Sequence, residues 1–190
     1  AAKAITQMNN VEDELNGLGT FLRTTKVKGV QNLIDASNHN EHFTKWLATT
    51  NPKTDLINAK IYHKMCYLVL DSVERVPSGV SYSNALELWF KNSDFKDVLE
   101  YTTFLDRRDG YKIKNIEISM HGDKGPNGSR GSPTSFSKLP TKSIVGHSHS
   151  PSIRLGCYTV GTSSMLNLSY NSGASSWMHA HCIIYPNGKR

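Results

Sequence analysis

Hydrophobic residues in the first 105 positions recur with the spacing of α-helices. Between residues 3 and 24 an apolar side chain returns about every 3.6 residues, which predicts an amphipathic helix. Similar spacing predicts four more helices, and Asn51-Pro52 ends the first of these. A short apolar run, VQNLIDA, precedes that helix and predicts a buried strand. The four further helices are predicted over EHFTKWLATT, residues 54–75, NALELWF and FKDVLEYTTFL.

At Tyr111 the pattern changes from helices to strands and loops. YKIKNIEISMH predicts a strand that ends at His121, and KSIVGHSHSP predicts a short strand followed by a turn. The intervening GDKGPNGSRGSPTS has the composition of a loop. Further strands are predicted over CYTVG, SMLNLSY and SSWMHAHCIIY. Together these patterns predict an α/β fold, with a helical segment at about 52–105 and a β-rich part at about 111–190.

Length and composition favour a globular cytoplasmic protein. A chain of 190 residues can build a core of its own. No apolar run reaches the roughly 20 residues that span a bilayer, so no membrane partner is expected. Its three cysteines are scattered and show no CxxC spacing, which favours a reducing compartment over a disulfide framework.

The net charge of +6 is concentrated in one part of the sequence. Between Arg107 and Arg154 there are nine Lys or Arg residues against three Asp or Glu, so the remainder of the chain is neutral. A concentrated basic segment favours a polyanion or a phosphate-containing substrate. Within it, the loop that contains Lys124 and Arg130 is rich in glycine, and its backbone N–H groups and cations suit the binding of substrate phosphate oxygens.

Histidines follow predicted strands at three places in the chain. Asn38-His39 follows VQNLIDA, His121 ends the next strand, and His147-Ser148-His149 follows KSIVG. Imidazole is the commonest side-chain ligand for transition metals. Active sites often lie at strand ends, so this arrangement predicts a metal site.

These motifs resemble those of a known enzyme family. SNHNEH before a helix, the isolated His121 and GHSH are similar, in that order, to the motifs GNH[D/E], a lone histidine and GH-x-H of the calcineurin-like metallophosphoesterases. GDKGPNGSRGS, FSKLPTKSIVGHSHSP and SSWMHAHCIIYPNGKR resemble phage-encoded members, which include early proteins that act on host DNA. The resemblance implies a β-sandwich flanked by helices and, for a phage protein, the host cytoplasm.

The resemblance also implies roles for individual residues. Asn38, His121 and His147 would bind one metal ion and His149 a second, while His39 would lie beside the scissile phosphate. The implied cofactors are two divalent metal ions, Mn²⁺ foremost, with Zn²⁺, Fe²⁺ and Mg²⁺ as alternatives. The implied reaction is hydrolysis of a phosphodiester bond at a two-metal site, with DNA as the first substrate to consider.

The sequence departs from the family pattern in two respects. Ser37 and Asn40 stand where the family has glycine and a carboxylate. The family's two opening motifs, D-x-H and GD-x-x-D, are absent from the 190 residues. We therefore expect the chain to be the C-terminal portion of a single metallophosphoesterase domain. Alone, it should bind Mn²⁺ or Zn²⁺ weakly and be inactive.

Three functions are compatible with these features. The first is a metal-dependent DNA nuclease. The second is a phosphomonoesterase or small-molecule phosphodiesterase on the same fold, because fold and metal site do not choose the substrate. The third is a nucleic-acid-binding module whose catalytic site has decayed. A homo-oligomer is compatible with each of the three.

Overall fold

The computed structural model describes residues 10–76, 79–81, 84–168, 171 and 173–190. In the described residues the chain forms two compact units, and each is described by itself below. The first unit takes in the chain up to Ile34 and then His39–Phe104. The second takes in Asp35–Asn38 and Leu105–Arg190. That the whole chain is a portion of one metallophosphoesterase domain remains a prediction.

The first unit is mainly helical. Its first described helix begins after Asn10, whose side-chain oxygen accepts hydrogen bonds from the backbone N–H groups of Glu12 and Asp13. Residues 3–9 of the predicted first helix lie outside the described residues. Short 3₁₀ turns at Leu56–Asn58 and Lys96–Glu100 accompany the α-helices. The α-helices are α1 (Val11–Thr24), α2 (Asn38–Thr49), α3 (Ala59–Asp71) and α4 (Ala85–Lys91).

Apolar side chains from α1, α3 and α4 form the core of the first unit. Met65, Phe90 and Val98 are fully buried, and Trp89 is almost so. Trp89 also stacks on Phe95, with ring centroids 5.9 Å apart. The helical periodicity of the sequence therefore corresponds to a buried face, as expected for helices that pack on one another.

Strand pairing in the first unit corrects part of the sequence prediction. Strand β1 (Asn32–Ile34) pairs in parallel with β4 (Thr102–Phe104), so FKDVLEYTTFL is helical only in its first half. The β-branched pair in β4 favours an extended chain, and the backbone N–H of Asn32 donates to Tyr101. The helix predicted to run to residue 75 ends at Asp71 and is followed by the hairpin of β2 (Glu74–Val76) and β3 (Gly79–Ser81).

The second unit contains a five-stranded mixed sheet. Its strands are β5 (Lys112–Ile113), β6 (Ile116–Glu117), β7 (Lys142–Val145), β8 (Ser152–Arg154) and β9 (Cys157–Thr159). They lie in the order β5-β6-β7-β9-β8, and the three central strands are parallel. The single strand predicted over YKIKNIEISMH is divided by a two-residue turn at Lys114 and Asn115, both with positive φ, as in a type I′ hairpin.

The core of the second unit is smaller than that of the first. Two of its predicted strands are also absent from the described residues. Phe136, Val145 and Cys157 are buried together. Phe136 belongs to a one-turn helix, α5 (Pro133–Phe136), which begins inside the segment predicted as loop. In the described residues no strand follows Thr159, so the strands predicted over SMLNLSY and SSWMHAHCIIY are wrong where the structure describes them.

Exposure explains why the last predicted strand does not form. Met178 and Ile183 are more than half exposed, so the apolar alternation of this tail buries no face. The predicted α/β class is confirmed by the mixture of helices and sheets. Within the described residues, no helix has the length and apolar character needed to cross a membrane.

Candidate metal centre

Three of the predicted ligand residues line one cavity of the second unit. His121, His147 and His149 surround a space of about 340 Å³ together with Asp35 and the chain after β9. We call this space the histidine cavity. The three central strands are parallel, so their carboxyl ends lie at one edge of the sheet. His147 follows the end of β7 by two residues and His121 follows β6 by four, and the sheet thereby brings them together.

Backbone contacts hold the chain after β6 close to the chain after β7. The N–H of Gly146 donates to the carbonyl oxygen of His121 over 2.7 Å. Gly122 has φ +114°, and a Cβ atom there would lie 2.9 Å from the carbonyl oxygen of Gly146. Only glycine accommodates both the backbone angle and this approach. As a result the rings of His121 and His147 lie with centroids 5.2 Å apart, at an interplanar angle of 73°.

The two histidines of GHSH have different ring neighbours. Both adopt left-handed backbone angles, with φ +67° for His147 and +59° for His149. The ring of His147 contacts His121, whereas the ring of His149 contacts Trp177 with centroids 4.2 Å apart. The turn is fixed by the N–H of Ser148, which donates to the carbonyl oxygen of Gly146 over 2.8 Å. The i, i+2 pair therefore presents its two rings in different surroundings.

The short segment Asp35–Asn38 brings two more candidate oxygen ligands to the second unit. Asn38 has a buried side-chain oxygen with no hydrogen-bond partner among the described residues. A buried oxygen of this kind is normally paired with a hydrogen-bond donor or a cation. Asp35 lines the histidine cavity, although we did not predict it as a site residue. The sequence signal was an acidic residue directly after a buried strand and three positions before Asn38.

The surroundings of Asp35 disfavour its charged form. Burial, and then the nearby charge of Glu117, raise the pKa of Asp35 to about 6. A partly buried carboxylate that lines a cavity together with imidazoles suits cation binding, because a cation offsets its negative charge. Asp35 thus adds a candidate anionic ligand to the neutral donors of the cavity.

The predicted catalytic residue lies in a different place. His39 counts with the first unit, where it is exposed in the first turn of α2 and its ring lies 5.5 Å from that of His42. There it lines a cavity of about 520 Å³ with aromatic side chains, including Phe43 and Trp46. The structure thus does not bring His39 into the histidine cavity, and its catalytic role remains a prediction.

The predicted phosphate-binding residues face each other across a loop. Lys124 and Arg130 form an antiparallel bridge, and the N–H of Gly125 donates to Ser129 over 2.7 Å inside it. Residues opposite each other in such a bridge project their side chains to the same side. Both side chains are exposed. The loop therefore presents two cations on one side.

An ion pair fixes the start of the same loop. Arg107 donates two hydrogen bonds to the carboxylate of Asp123, at 2.6 and 2.8 Å, and both side chains are largely buried. Burial alone would raise the pKa of Asp123, but the hydrogen bonds and charge of Arg107 outweigh it and lower that pKa. Arg107 is thus engaged in holding the loop.

Comparison with known proteins connects the chain to a phage protein. Over 184 residues, 96% of the chain, it is 34% identical to Protein A1 of Escherichia phage T5. The match covers 32% of that protein, so the chain spans about a third of the length of the curated relative it matches. No family model and no solved structure matches the chain.

The donor atoms suit a metal ion in kind, but they do not form a complete site. Three imidazoles and a carboxylate line one cavity, and a neighbouring segment carries the amide oxygen of Asn38. Such donors suit borderline divalent metals. Across the described ranges, however, no three His, Cys, Asp or Glu side chains converge so as to hold an ion. The residues therefore fit part of a coordination sphere.

Proposed function

We propose that this chain forms one side of the active site of a metal-dependent phosphodiesterase that acts on DNA. The observation that carries the proposal is the histidine cavity, where the sheet brings together three histidines from two of the sequence motifs. Their order resembles that of the calcineurin-like metallophosphoesterases, and so the fold we propose for the complete domain is the β-sandwich of that family.

Each candidate ligand has a proposed task. His121 and His147 would bind one metal ion with the amide oxygen of Asn38, and His149 would bind the second. Two divalent ions, when bound, supply Lewis acidity and positive charge to a phosphodiester group. His39 would protonate the leaving oxygen, which its place directly after Asn38 in the chain supports.

The basic loop supports a phosphate-containing substrate. Like charges directly opposite each other on paired strands are destabilising, so Lys124 and Arg130 together favour an anion between or above them. The second unit has eleven Lys or Arg residues against five Asp or Glu, a net charge of +6, whereas the first unit is neutral. The positive charge thus belongs to the unit that contains the histidine cavity, as expected for a polyanionic substrate.

The remaining ligands are proposed to come from outside these 190 residues. The cavity holds no complete group of three His, Cys, Asp or Glu ligands among the described residues, and the sequence contains neither D-x-H nor GD-x-x-D. The relative of phage T5 is about three times as long as the matched region. We therefore propose a longer protein in which D-x-H and GD-x-x-D motifs complete the site.

Metal binding by the chain tests the first part of the proposal. The measurement is a Mn²⁺ titration followed by electron paramagnetic resonance, with His147→Ala as the test variant. His63→Ala, an exposed histidine on α3, is the matched control. We expect weak binding by the wild type and the control, and a loss of about tenfold or more in His147→Ala. Equal affinity in all three proteins would contradict the proposed ligand set.

Hydrolysis tests the second part. The substrates are linear duplex DNA, bis-p-nitrophenyl phosphate and nucleotides, each assayed in Mn²⁺. We expect no turnover by the 190 residues alone. In a protein that carries them together with upstream chain, we expect cleavage of DNA that His147→Ala abolishes. Turnover of phosphomonoesters in preference to DNA would favour the phosphomonoesterase alternative.

One observation favours a non-enzymatic alternative. The lack of a converged metal site among the described residues is also what a decayed enzyme would show. In that case the chain would be a nucleic-acid-binding module. Steeply salt-dependent DNA binding that neither a chelator nor His147→Ala changes would support this alternative over the enzyme.

A further inference from the structure

His149 is held on three sides by one short segment, Ser176–Met178. The indole ring of Trp177 lies against the imidazole of His149 at an interplanar angle of 79° and a centroid distance of 4.2 Å. The backbone N–H of Met178 donates to the carbonyl oxygen of His149 over 3.2 Å. The hydroxyl groups of Ser150 and Ser176 are 2.7 Å apart. Ring, backbone and following residue are therefore all fixed by the same three residues.

The backbone of His149 requires such support. Its φ of +59° is in the left-handed region, which a histidine adopts only at a cost in free energy. A conformation of this kind persists when surrounding contacts over-determine it. The Met178 hydrogen bond and the Trp177 ring are such contacts, and they act on the residue proposed to bind the second metal ion.

The same segment is also attached to the chain after β9, which lines the histidine cavity. The N–H of Thr162 donates to the carbonyl oxygen of Met178 over 3.0 Å, and the N–H of Gly161 donates to Ala180 over 2.9 Å. Gly161 and Thr162 both line the cavity. The segment is thus fixed by the chain after β9 on one side and by the GHSH turn on the other.

We propose that Trp177 is a positioning residue that fixes the imidazole of His149 for metal binding. The inference rests on the proposed function, because it assigns Trp177 a role toward a ligand of that site. An edge-to-face contact restricts the rotation of the imidazole ring. Substitution of a residue that orients a metal ligand typically lowers metal affinity by about 10- to 100-fold.

The test uses the full 190-residue chain with labelled histidines. NMR resolves the ring signals of the eight histidines, and His149→Gln identifies the signals of His149. Trp177→Phe keeps an aromatic edge-to-face contact, whereas Trp177→Leu fills the space without a ring. Met178→Ala is the matched control, because it removes an exposed neighbouring side chain and leaves the backbone N–H in place.

Two readouts separate positioning from general support of the structure. The first is the chemical shift of the His149 ring, which the indole ring current displaces. The second is the Zn²⁺ concentration that shifts the ring signals of each histidine, because diamagnetic Zn²⁺ displaces chiefly the imidazole it binds. In Trp177→Leu we expect the His149 signals to move and to need about tenfold more Zn²⁺, while His121 and His147 respond as in the wild type. Trp177→Phe should lie between the two, and Met178→Ala should match the wild type.

The outcomes distinguish this inference from the proposed function. Unmoved His149 signals in Trp177→Leu, or an unchanged Zn²⁺ requirement at His149, would overturn the positioning role. An equal loss at all three histidines would overturn it too, because that result marks general loosening of the cavity. If Zn²⁺ shifts none of the three in the wild-type protein, the proposed function fails, and the positioning role falls with it.

Discussion

At the scale of single residues, the histidine cavity is built from strained backbone. His147 and His149 both have positive φ, although neither is glycine. Residues in such conformations cluster at functional sites, where the surrounding structure maintains them. His147 is exposed, so its imidazole contributes little to the core and its conformation is a net cost to the folded chain. A residue that costs stability at an exposed position is expected to serve function.

Paired substitutions at His147 isolate this cost. Asn tolerates the left-handed region, whereas the β-branched Val does not. We expect His147→Asn to leave the free energy of unfolding of the second unit within about 0.5 kcal/mol of the wild type. His147→Val should lower it by about 1–2 kcal/mol. Urea unfolding followed by NMR signals from β7 measures both. Equal stability of the two variants would show that φ at this position carries no cost.

Individual residues of the histidine cavity were easier to predict from the sequence than the residues they contact. The histidines of GHSH and His121 follow apolar runs, and the sheet does bring them to one cavity. Asp35 escaped prediction because an acidic residue at a strand end is common, and only the fold places it beside the histidines. Trp177 escaped because its partner is 28 positions away, in a tail whose apolar pattern resembles a strand.

At the scale of elements, the site depends on the close approach of two chain segments after β6 and β7. Gly122 and Gly146 meet where the hydrogen bond from Gly146 to His121 joins the segments. A side chain on Gly122 would press on the carbonyl of Gly146 and on the Cβ atom of His147. The spacing of His121 and His147 therefore depends on Gly122, which has no side chain that could bind a ligand.

Substitution of this glycine should disturb both stability and the site. Gly122→Ala introduces a side chain at φ +114° and a contact of 2.9 Å, and we expect a loss of about 3 kcal/mol. Gly128→Ala is the matched control, since Gly128 has φ +75° in the same loop but nothing within 4 Å. Its expected cost is about 1 kcal/mol, from the backbone angle alone.

Chemical unfolding and the ring signals of His121 and His147 provide the measurement. Only Gly122→Ala should change the nuclear Overhauser effect between the rings of His121 and His147, which reports the distance between them. If both alanine variants lose the same stability, the close approach does not matter and only the backbone angle does.

Elements with strong periodicity were predicted well, and weakly patterned ones were not. α1 and α4 have apolar faces that the core confirms. FKDVLEYTTFL combines a 3₁₀ turn with a strand because Thr102–Phe104 pairs with Asn32–Ile34. No local sequence pattern indicates this pairing. In YKIKNIEISMH the alternation of a strand conceals the turn at Lys114 and Asn115. Pairing partners and turns thus depend on long-range contacts, which override local propensity.

At the scale of the whole molecule, the net charge lies in one of the two units. The second unit carries the entire net charge of +6, and the first is neutral. DNA binding by Lys and Arg releases counterions, so its affinity falls with salt in proportion to the number of phosphates contacted. The exposed cations opposite each other at Lys124 and Arg130 are candidates for two of these contacts.

Salt titrations of DNA binding test this assignment. The double substitution Lys124→Ala with Arg130→Ala is expected to reduce the slope of log affinity against log salt by about two. Lys53→Ala with Lys60→Ala, both exposed in the first unit, is the matched control and should leave the slope unchanged. Fluorescence anisotropy with a short duplex gives the slopes. Identical slopes for the two double variants would contradict a role for the loop.

The parallel arrangement of the three central strands has a consequence for the order of folding. Parallel pairing joins segments that are distant along the chain, so loop-closure entropy must be overcome before the contacts form. The residues of the histidine cavity, from Asp35 to His149, can therefore meet only after these slow steps are complete. Metal affinity should appear late in refolding, after helices such as α3 have formed. Under the proposed function, a cation would recognise the finished sheet rather than guide its assembly.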